Sequence, residues 1–335
     1  MNRQRVLLIA AVLVVVAVLD VVLVKTLHIH RKTTPGRAIA AANAIPGSDG
    51  TQLAGEVWAP GGSGKFPLVV MPAAFGKDAT EYKYVGQTLA NQGYVVVAYA
   101  QRGFMPSQGQ VDFEGAPTQA DVSSVITWAL AHTPADPTKI GVMGVSYGAG
   151  ATLLSAERDN RIKAVVAMSA WTDLQQSFFP NDTPNTQAIK TLYGAAKKRF
   201  SPPLTNFYDL LDSRDFAGAK ALLATLSPER SAITNVDALN RNHTAVMIAN
   251  DFEDSYFAPN QLVTFYDKLT GPKRLQLAIG DHGSQEVAGL LGQQSEVWTD
   301  ATQWLDHYLR GMNNGIQSQQ PVRLKDVATG QWHTY

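Results

Sequence analysis

The sequence IGVMGVSYGAGATLLSA occupies residues 140–156 and joins two patterns at one serine. The apolar run from Ile140 to Val145 has the length of a buried β-strand, and the small residues from Tyr147 onward suit a helix. Ser146 lies between them, inside a Gly-x-Ser-x-Gly motif. At a strand-to-helix junction this motif indicates a nucleophile elbow, a tight turn that holds a serine hydroxyl above the end of a sheet. We therefore predict Ser146 as a nucleophile.

The rest of the chain alternates strand and helix patterns around this junction. Strands are predicted at residues 67–71, 94–99, 140–145, 162–168, 244–250 and 274–279, and helices at 80–92, 117–132, 147–156, 259–269 and 296–309. Asp49-Gly50 adds a hairpin turn signal before the first of them. Such alternation predicts the α/β class, with a mostly parallel sheet and helices on both faces. Together with the elbow it predicts an α/β-hydrolase fold for residues 45–312.

Residues 172–240 interrupt the alternation. They contain prolines at positions 180, 184, 202 and 203 and seven aromatic side chains. We predict a helical cap inserted between two strands, and we place Trp171, Phe178 and Phe179 in the substrate pocket. The alternative is that these segments are ordinary helices packed on the sheet.

A histidine must supply the base, because a serine hydroxyl alone is a weak nucleophile. In this fold the partners follow in the order serine, acid, histidine, which removes His132. His243 precedes a predicted strand, and His307 falls inside a predicted helix. His282 lies in a loop just after the strand at 274–279, where the base is expected. We predict His282 as the general base.

Three carboxylates follow the preceding strand, namely Asp251, Glu253 and Asp254. Asp254 lies farthest into the loop, shortly before the next helix begins. We predict that Asp254 orients the ring of His282 and stabilises its protonated form. Asp251, nearer the strand end, remains the alternative.

The oxyanion that forms during acyl transfer needs hydrogen-bond donors. The backbone N–H of Tyr147, at the start of the helix, is predicted as one. The second is expected in the loop at residues 72–77, after the first long strand. No side chain in the first part of that loop can donate, so the backbone N–H of Ala74 or Phe75 is predicted instead.

The N-terminus is a different kind of sequence. Nineteen residues from Val6 to Val24 are apolar except Asp20, and a helix of that length spans about 28 Å, close to the hydrocarbon core of a bilayer. We predict residues 1–24 as a transmembrane signal anchor and residues 25–44 as a linker. Because a short basic N-terminus usually stays inside, the catalytic domain is expected outside the cytoplasm. The alternatives are secretion after signal cleavage and a buried helix of a soluble domain.

The composition restricts partners and cofactors. Twenty-eight basic and 28 acidic residues give a formal net charge of zero, which does not favour a nucleic-acid partner. The absence of cysteine from the sequence excludes disulfides, thiolate metal sites and a cysteine nucleophile. The seven histidines show no metal-ligand spacing, so no metal or cofactor is predicted.

Five segments carry a resemblance to a known family. They are Asp49-Gly50-Thr51, Arg102-Gly103 through Ser107, Gly144-Val145-Ser146-Tyr147-Gly148, Ser169-Ala170-Trp171-Thr172-Asp173, and Leu269-Thr270-Gly271-Pro272-Lys273 followed by His282. In these segments the chain resembles the cocaine esterase and Xaa-Pro dipeptidyl-peptidase-like hydrolases of the S15 family. The resemblance implies a serine hydrolase whose triad falls on Ser146, Asp254 and His282.

Two features depart from that family. Its members often carry a tyrosine whose hydroxyl completes the oxyanion hole, but Phe75 occupies the matching position here. Members also usually add a C-terminal β-sandwich. Residues 313–335 are expected to resemble the start of such a sandwich, with its opening strand within Pro321 to Tyr335.

The sequence therefore predicts a serine hydrolase that cleaves an ester or amide of a small molecule or short peptide through an acyl-enzyme intermediate. One alternative is a peptidase that releases Xaa-Pro dipeptides. Such an enzyme needs an acidic group for the free amine of its substrate, and Glu253 and Asp173 are candidates. An alternative of another class is a non-catalytic hydrolase fold used for binding or sensing.

Overall fold

One β-sheet carries the fold of the residues that the computed structural model describes, 42–196 and 199–335. The strands in that part of the chain are β1 (Ala42–Pro46), β2 (Gln52–Trp58), β3 (Phe66–Pro72), β4 (Val95–Tyr99), β5 (Ala135–Val145), β6 (Ile162–Met168), β7 (Ala245–Asp251), β8 (Lys273–Ala278), β9 (Val322–Lys325) and β10 (Trp332–Thr334). Their order in the sheet is β1-β2-β4-β3-β5-β6-β7-β8-β9-β10. The run from β4 to β9 is parallel, and β1, β2 and β10 pair antiparallel at the two edges.

Helices connect and cover these strands. They are α1 (Lys83–Asn91), α2 (Ala116–His132), α3 (Tyr147–Arg158), α4 (Leu174–Phe178), α5 (Thr186–Ala196), α6 (Pro202–Asp212), α7 (Phe216–Leu226), α8 (Val236–Asn242), α9 (Asn260–Lys268), α10 (Val287–Leu290) and α11 (Glu296–Arg310). Short 3-10 turns lie at Ala79–Tyr82, Pro180–Asp182, Ser227–Arg230, Ala232–Thr234 and Ile316–Ser318.

The central strands are apolar on both faces because helices cover both. In β3, Leu68 and Val70 pack in the core that contains α2, α3 and α9. Val69 and Met71 alternate with them and pack in the core that contains α1 and α11. Successive side chains of a strand point to opposite faces, so a run without polar residues fills both cores. The predicted α/β-hydrolase architecture is confirmed.

The first strand begins earlier than predicted. Residues 42–44 were assigned to the linker at 25–44, but β1 starts at Ala42 and pairs antiparallel with β2 across the Asp49-Gly50 turn. The predicted signal anchor at 1–24 and the linker as far as residue 41 lie outside the described residues. Within the described ranges, no helix has both the length and the apolar character needed to cross a membrane.

The C-terminal prediction was wrong. Residues 313–335 do not begin a separate β-sandwich, because β9 pairs parallel with β8 and β10 pairs antiparallel with β9. The open edge of β8 presents unpaired backbone groups, and a strand added there satisfies them. The predicted opening strand therefore extends the main sheet.

The insertion between β6 and β7 contains α4 to α8. Phe178 and Phe207 are buried in an apolar cluster that belongs largely to this insertion and reaches the sheet at Trp171. Helix α8 differs, because Val236 and Leu239 pack in the same core as α3. The cap prediction is thus confirmed for α4 to α7, while α8 is an ordinary helix packed on the sheet.

Candidate active site

Ser146 lies in the turn between β5 and α3. Its backbone has φ 56° and ψ −118°, a conformation that costs free energy in a residue with a side chain. Its N–H donates to the carbonyl of Met168 at 2.8 Å. A Cβ on Gly144 would lie 2.4 Å from the carbonyl of Gly148, and a Cβ on Gly148 would lie 2.0 Å from the carbonyl oxygen of Pro72. The motif forms an elbow because only hydrogen fits at its two glycines.

Three side chains distant in sequence form one hydrogen-bonded line. The Nε2 atom of His282 lies 2.7 Å from the Oγ atom of Ser146. Its Nδ1 atom lies 2.9 Å from Oδ2 of Asp254, whose side chain is fully buried. When Nδ1 carries a proton and donates a hydrogen bond to Asp254, the lone pair of Nε2 is free to accept the proton of Ser146.

The loop after β7 holds the Asp254 carboxylate in place. Its Oδ1 atom accepts the backbone N–H of Tyr256 at 2.9 Å and that of Phe257 at 2.7 Å. Asp251, the sequence alternative, is the last residue of β7, and its buried side chain makes no hydrogen bond to His282. Burial raises the pKa of Asp251 to about 6, and the charge of Asp254 adds to this effect. The structure therefore joins Asp254 to His282 and leaves Asp251 apart.

Asp281 links the acid loop to the histidine loop, a contact that the sequence reasoning missed. Its Oδ1 atom accepts the backbone N–H of Ser255 at 2.8 Å and the N–H of His282 at 2.7 Å. Burial opposes ionisation, but these hydrogen bonds outweigh it and hold the pKa of Asp281 below its ordinary value. An aspartate in a glycine-rich loop often binds backbone N–H groups, which was the available signal.

A buried carboxyl supports the histidine loop from the other side. The hydroxyl of Ser169 donates to Oε1 of Glu286 at 3.0 Å and accepts the backbone N–H of Gly283 at 3.1 Å. Glu286 has no exposed surface. Burial raises its pKa to about 7, and the neighbouring charge of Asp251 contributes. Sequence reasoning missed this contact, because its partners lie 117 residues apart and no local pattern marks them.

The predicted oxyanion donors differ in whether their N–H groups already have an acceptor. The Ala74 N–H already donates to Oε2 of Glu81 at 2.8 Å, so its assignment as an oxyanion donor was wrong. The backbone N–H groups of Phe75 and Tyr147 donate to no acceptor in the described part of the chain. The Phe75 ring meets the Tyr147 ring edge-on at 5.3 Å and the Phe104 ring at 4.6 Å. The backbone N–H groups of Tyr147 and Phe75 therefore remain as the candidate oxyanion donors.

A cavity of about 730 Å³ opens at Ser146 and His282. Its apolar lining includes Tyr84, Leu192, Tyr256, Val287, Leu290 and Leu291. Trp171, Phe178 and Phe179 do not line it; each is at most 2% exposed and packs in the apolar cluster of the cap. Their placement in the substrate pocket was wrong because the cap needs a core of its own, and these rings fill it.

In the described ranges, no group of three or more histidine, aspartate or glutamate side chains could hold a metal ion. The chemistry available to the site is that of a serine, a histidine and a buried carboxylate beside backbone N–H donors. Such a set suits attack on a carbonyl carbon and stabilisation of the resulting oxyanion.

Comparison with known proteins assigns the chain to a family. The profile of the X-Pro dipeptidyl-peptidase (S15 family) matches residues 49–284, more than two-thirds of the chain. The chain belongs to the S15 family. Its membership confirms the resemblance carried by the five sequence segments.

Three relatives share less than a third of their residues with this chain over the aligned regions. An uncharacterised 31.7 kDa protein of Escherichia coli is 28% identical over 156 residues, which are 45% of this chain and 54% of that protein. A CocE/NonD family hydrolase from Staphylococcus aureus has a solved structure with a TM-score of 0.67 and 17% identity, covering 88% of this chain and 55% of that one. An acylaminoacyl peptidase from Pyrococcus horikoshii has a TM-score of 0.57 and 16% identity, covering 89% and 44%. The chain thus spans about half the length of these proteins, and the two structures show a shared fold.

Proposed function

We propose that this S15-family chain hydrolyses carboxylic ester or amide bonds through an acyl-enzyme intermediate on Ser146. The observation that carries the proposal is the 2.7 Å contact between His282 Nε2 and Ser146 Oγ, continued at 2.9 Å to Asp254. A serine in this contact can lose its proton as it attacks. The strained elbow holds the hydroxyl within reach of the cavity.

The reaction then follows from the positions of these groups. His282 Nε2 takes the proton of Ser146 as Oγ bonds to the carbonyl carbon, and the carbonyl oxygen becomes an oxyanion. The backbone N–H groups of Tyr147 and Phe75 stabilise that oxyanion. His282 returns the proton to the leaving oxygen or nitrogen, and the acyl group stays on Ser146. In the second half, His282 takes a proton from water as the water oxygen bonds to the acyl carbon. The bond from that carbon to Ser146 Oγ then breaks, His282 gives the proton to Oγ, and the acid leaves.

The acidic groups favour ester hydrolysis over release of N-terminal dipeptides. Asp173 caps α4 by accepting the Gln176 N–H, and neither Asp173 nor Glu253 lines the cavity at Ser146. Two other carboxyls, Asp78 and Glu81, line it, but each already accepts a backbone N–H. Burial raises the pKa of Glu81 to about 7, which weakens it as a partner for a charged amine, and Asp78 is bound to its own turn through one oxygen. We therefore place esters first and Xaa-Pro peptides second.

The test uses the purified 335-residue chain. We expect a fluorophosphonate probe to label one serine, identified as Ser146 by peptide mass spectrometry, and Ser146→Ala to remove labelling. Short-chain p-nitrophenyl esters are compared with Ala-Pro-p-nitroanilide at equal concentration. Faster release from the anilide would reverse the ranking of substrates. No labelling and no hydrolysis would instead support a non-catalytic, binding or sensing hydrolase fold.

We also propose that residues 1–24 anchor the chain in a membrane, with the hydrolase domain outside the cytoplasm. The support is the apolar run from Val6 to Val24 behind Arg3 and Arg5. Extraction of membranes with alkaline carbonate should leave the chain in the pellet, and protease added outside intact cells should degrade the domain. Release into the medium would favour cleavage and secretion.

A further inference from the structure

Three large apolar side chains are exposed at the rim of the cavity. Tyr84 is 48% exposed, Val287 is 52% exposed and Leu291 is 53% exposed. All three line the same cavity as Ser146 and His282. A single exposed apolar residue needs no explanation, but a group of them beside a nucleophile does.

These side chains form one surface. Val287 begins α10 and Leu291 directly follows it, one helical turn away. A Cβ on Gly292, the next residue, would lie 3.1 Å from the ring of Tyr84, so the ring of Tyr84 lies against this backbone. We call Tyr84, Val287, Leu290 and Leu291 the apolar rim.

The rim is supplied by elements that also shape the reacting centre. Helix α1, which carries Tyr84, follows the loop that contains Phe75, and α10 follows the loop that contains His282. A substrate whose carbonyl lies at Ser146 therefore has the rim beside it. The charged residues of the cavity are two lysines and two carboxyls, Lys77, Lys83, Asp78 and Glu81. Groups of opposite sign lie together here, so the distinctive chemistry of this wall is apolar.

From this arrangement we infer that the apolar rim binds an apolar substituent of the ester or amide, such as an alkyl chain of several carbons. The inference rests on the proposed function and specifies its substrate class. Covering the rim with an alkyl chain removes apolar surface of both partners from water, which favours binding in proportion to the buried area. The cavity of about 730 Å³ is within the size range of sites that enclose small organic molecules.

The alkyl chain can belong to the acyl half or to the alcohol half of the substrate. Two substrate series separate these cases. The first contains p-nitrophenyl acetate, butyrate and octanoate, in which the acyl chain grows. The second contains ethyl, butyl and octyl acetate, in which the alcohol grows. Each is assayed with wild type, Val287→Ser, Leu291→Ser and the double variant. Val263→Ser is the matched control, because Val263 is 40% exposed on α9 and does not line the cavity.

In one of the two series, we expect kcat/KM of wild type to rise roughly ten-fold from the shortest to the longest member. The double variant should lose most of that rise, measured as the ratio of kcat/KM between the longest and the shortest member of the series. Val263→Ser should behave as wild type. Thermal unfolding of each variant checks that the fold is retained.

Several outcomes overturn the inference. Equal rates across both series in wild type would mean that no apolar subsite exists, while the proposed function would stand. An unchanged chain-length preference in the double variant, or an equal loss in Val263→Ser, would place the subsite elsewhere. If wild type hydrolyses no member of either series, the proposed ester hydrolysis fails and the inference fails with it.

Discussion

The carboxylate of Glu81 accepts the backbone N–H of Ala74 at 2.8 Å. The neighbouring residue, Tyr82, donates its hydroxyl to the Pro72 carbonyl at 3.2 Å and accepts the N–H of Val145 at 3.0 Å. One short turn therefore fixes both ends of the loop that leads to Phe75 and ties it to the strand before Ser146. Glu81 positions the proposed oxyanion donor without touching the oxyanion itself.

Replacement of Glu81 tests this positioning role. Glu81→Ala removes the acceptor for the Ala74 N–H, and we expect kcat to fall about ten-fold or more, since loss of a whole oxyanion donor costs about 10²–10³. Glu81→Gln keeps an amide oxygen as acceptor and should retain most of the rate. Steady-state kinetics on a p-nitrophenyl ester measures both. Equal losses in the two variants would show that the hydrogen bond is not what matters.

The Gln variant also separates charge from position. Burial raises the pKa of Glu81 to about 7, despite the hydrogen bond from Ala74, so the side chain gains its charge as the pH passes through neutrality. A negative charge beside the oxyanion site disfavours the transition state. We therefore expect the ratio of the Glu81→Gln rate to the wild-type rate to rise as the pH increases from 6 to 8.5. A constant ratio of the two rates over that range would contradict the assignment.

The two aspartates after β7 should differ sharply. Asp254→Asn cannot hold the His282 ring in the tautomer with its proton on Nδ1, and we expect kcat to fall by about 10⁴. Asp251→Asn leaves the contact between His282 and Asp254 untouched and should keep most of the activity. Parallel kcat measurements decide between them. A larger loss in Asp251→Asn would move the acid role to that residue.

Backbone strain at Ser146 predicts that the folded chain is more stable with glycine than with alanine at this position. At φ 56° and ψ −118° a residue without a Cβ is favoured. We expect Ser146→Gly to be inactive and more stable than Ser146→Ala by about 1 kcal/mol. Urea denaturation of both variants measures the difference. Equal stability would show that the elbow stores no strain.

The sequence predicted those parts of the site that local patterns carry. Ser146 is marked by a motif at a strand-to-helix junction, and His282 by its place after a strand within a fixed chain order. Asp254 followed from its distance beyond β7. Parallel strands end at one edge of a sheet, so loops distant in sequence converge there. This geometry made the site predictable without any knowledge of contacts.

Contacts between distant residues set the limits of prediction. Trp171, Phe178 and Phe179 have the composition of a binding pocket, and only packing shows that they fill the core of the cap. The tail after Gly311 has the pattern of a strand, but which edge it joins depends on the open edge of β8. The bond between Glu81 and Ala74 likewise depends on side-chain direction, which a sequence pattern does not specify.

Glu286 has both a positioning contact with Ser169 and a pKa raised by burial. In the folded chain burial keeps it protonated up to about pH 7, whereas an ordinary glutamate loses its proton near 4.5. Between these values the folded state binds more protons than the unfolded state, so stability falls as the pH rises. The two pKa values differ by about 2.5 units, which at about 1.4 kcal/mol per unit corresponds to about 3 kcal/mol in the free energy of unfolding. Glu286→Gln cannot titrate, and we expect it to lose most of this decline when urea denaturation is compared at pH 5 and pH 8.

Activity distinguishes this role from a merely structural one. Glu286 gains its charge as the pH passes about 7, and it lies behind the loop that carries His282, whereas a glutamine stays neutral. The kcat/KM values of wild type and of Glu286→Gln should therefore differ in their dependence on pH around 7. The amide oxygen of the glutamine can still accept the hydroxyl of Ser169, which keeps the loop in place. Glu157→Gln is the matched control. Glu157 is a buried carboxyl on α3 whose pKa burial raises to about 9, and it lies outside the cavity at Ser146. It should change the pH dependence of stability but not that of kcat/KM. Identical kcat/KM profiles for wild type and Glu286→Gln would confine Glu286 to packing.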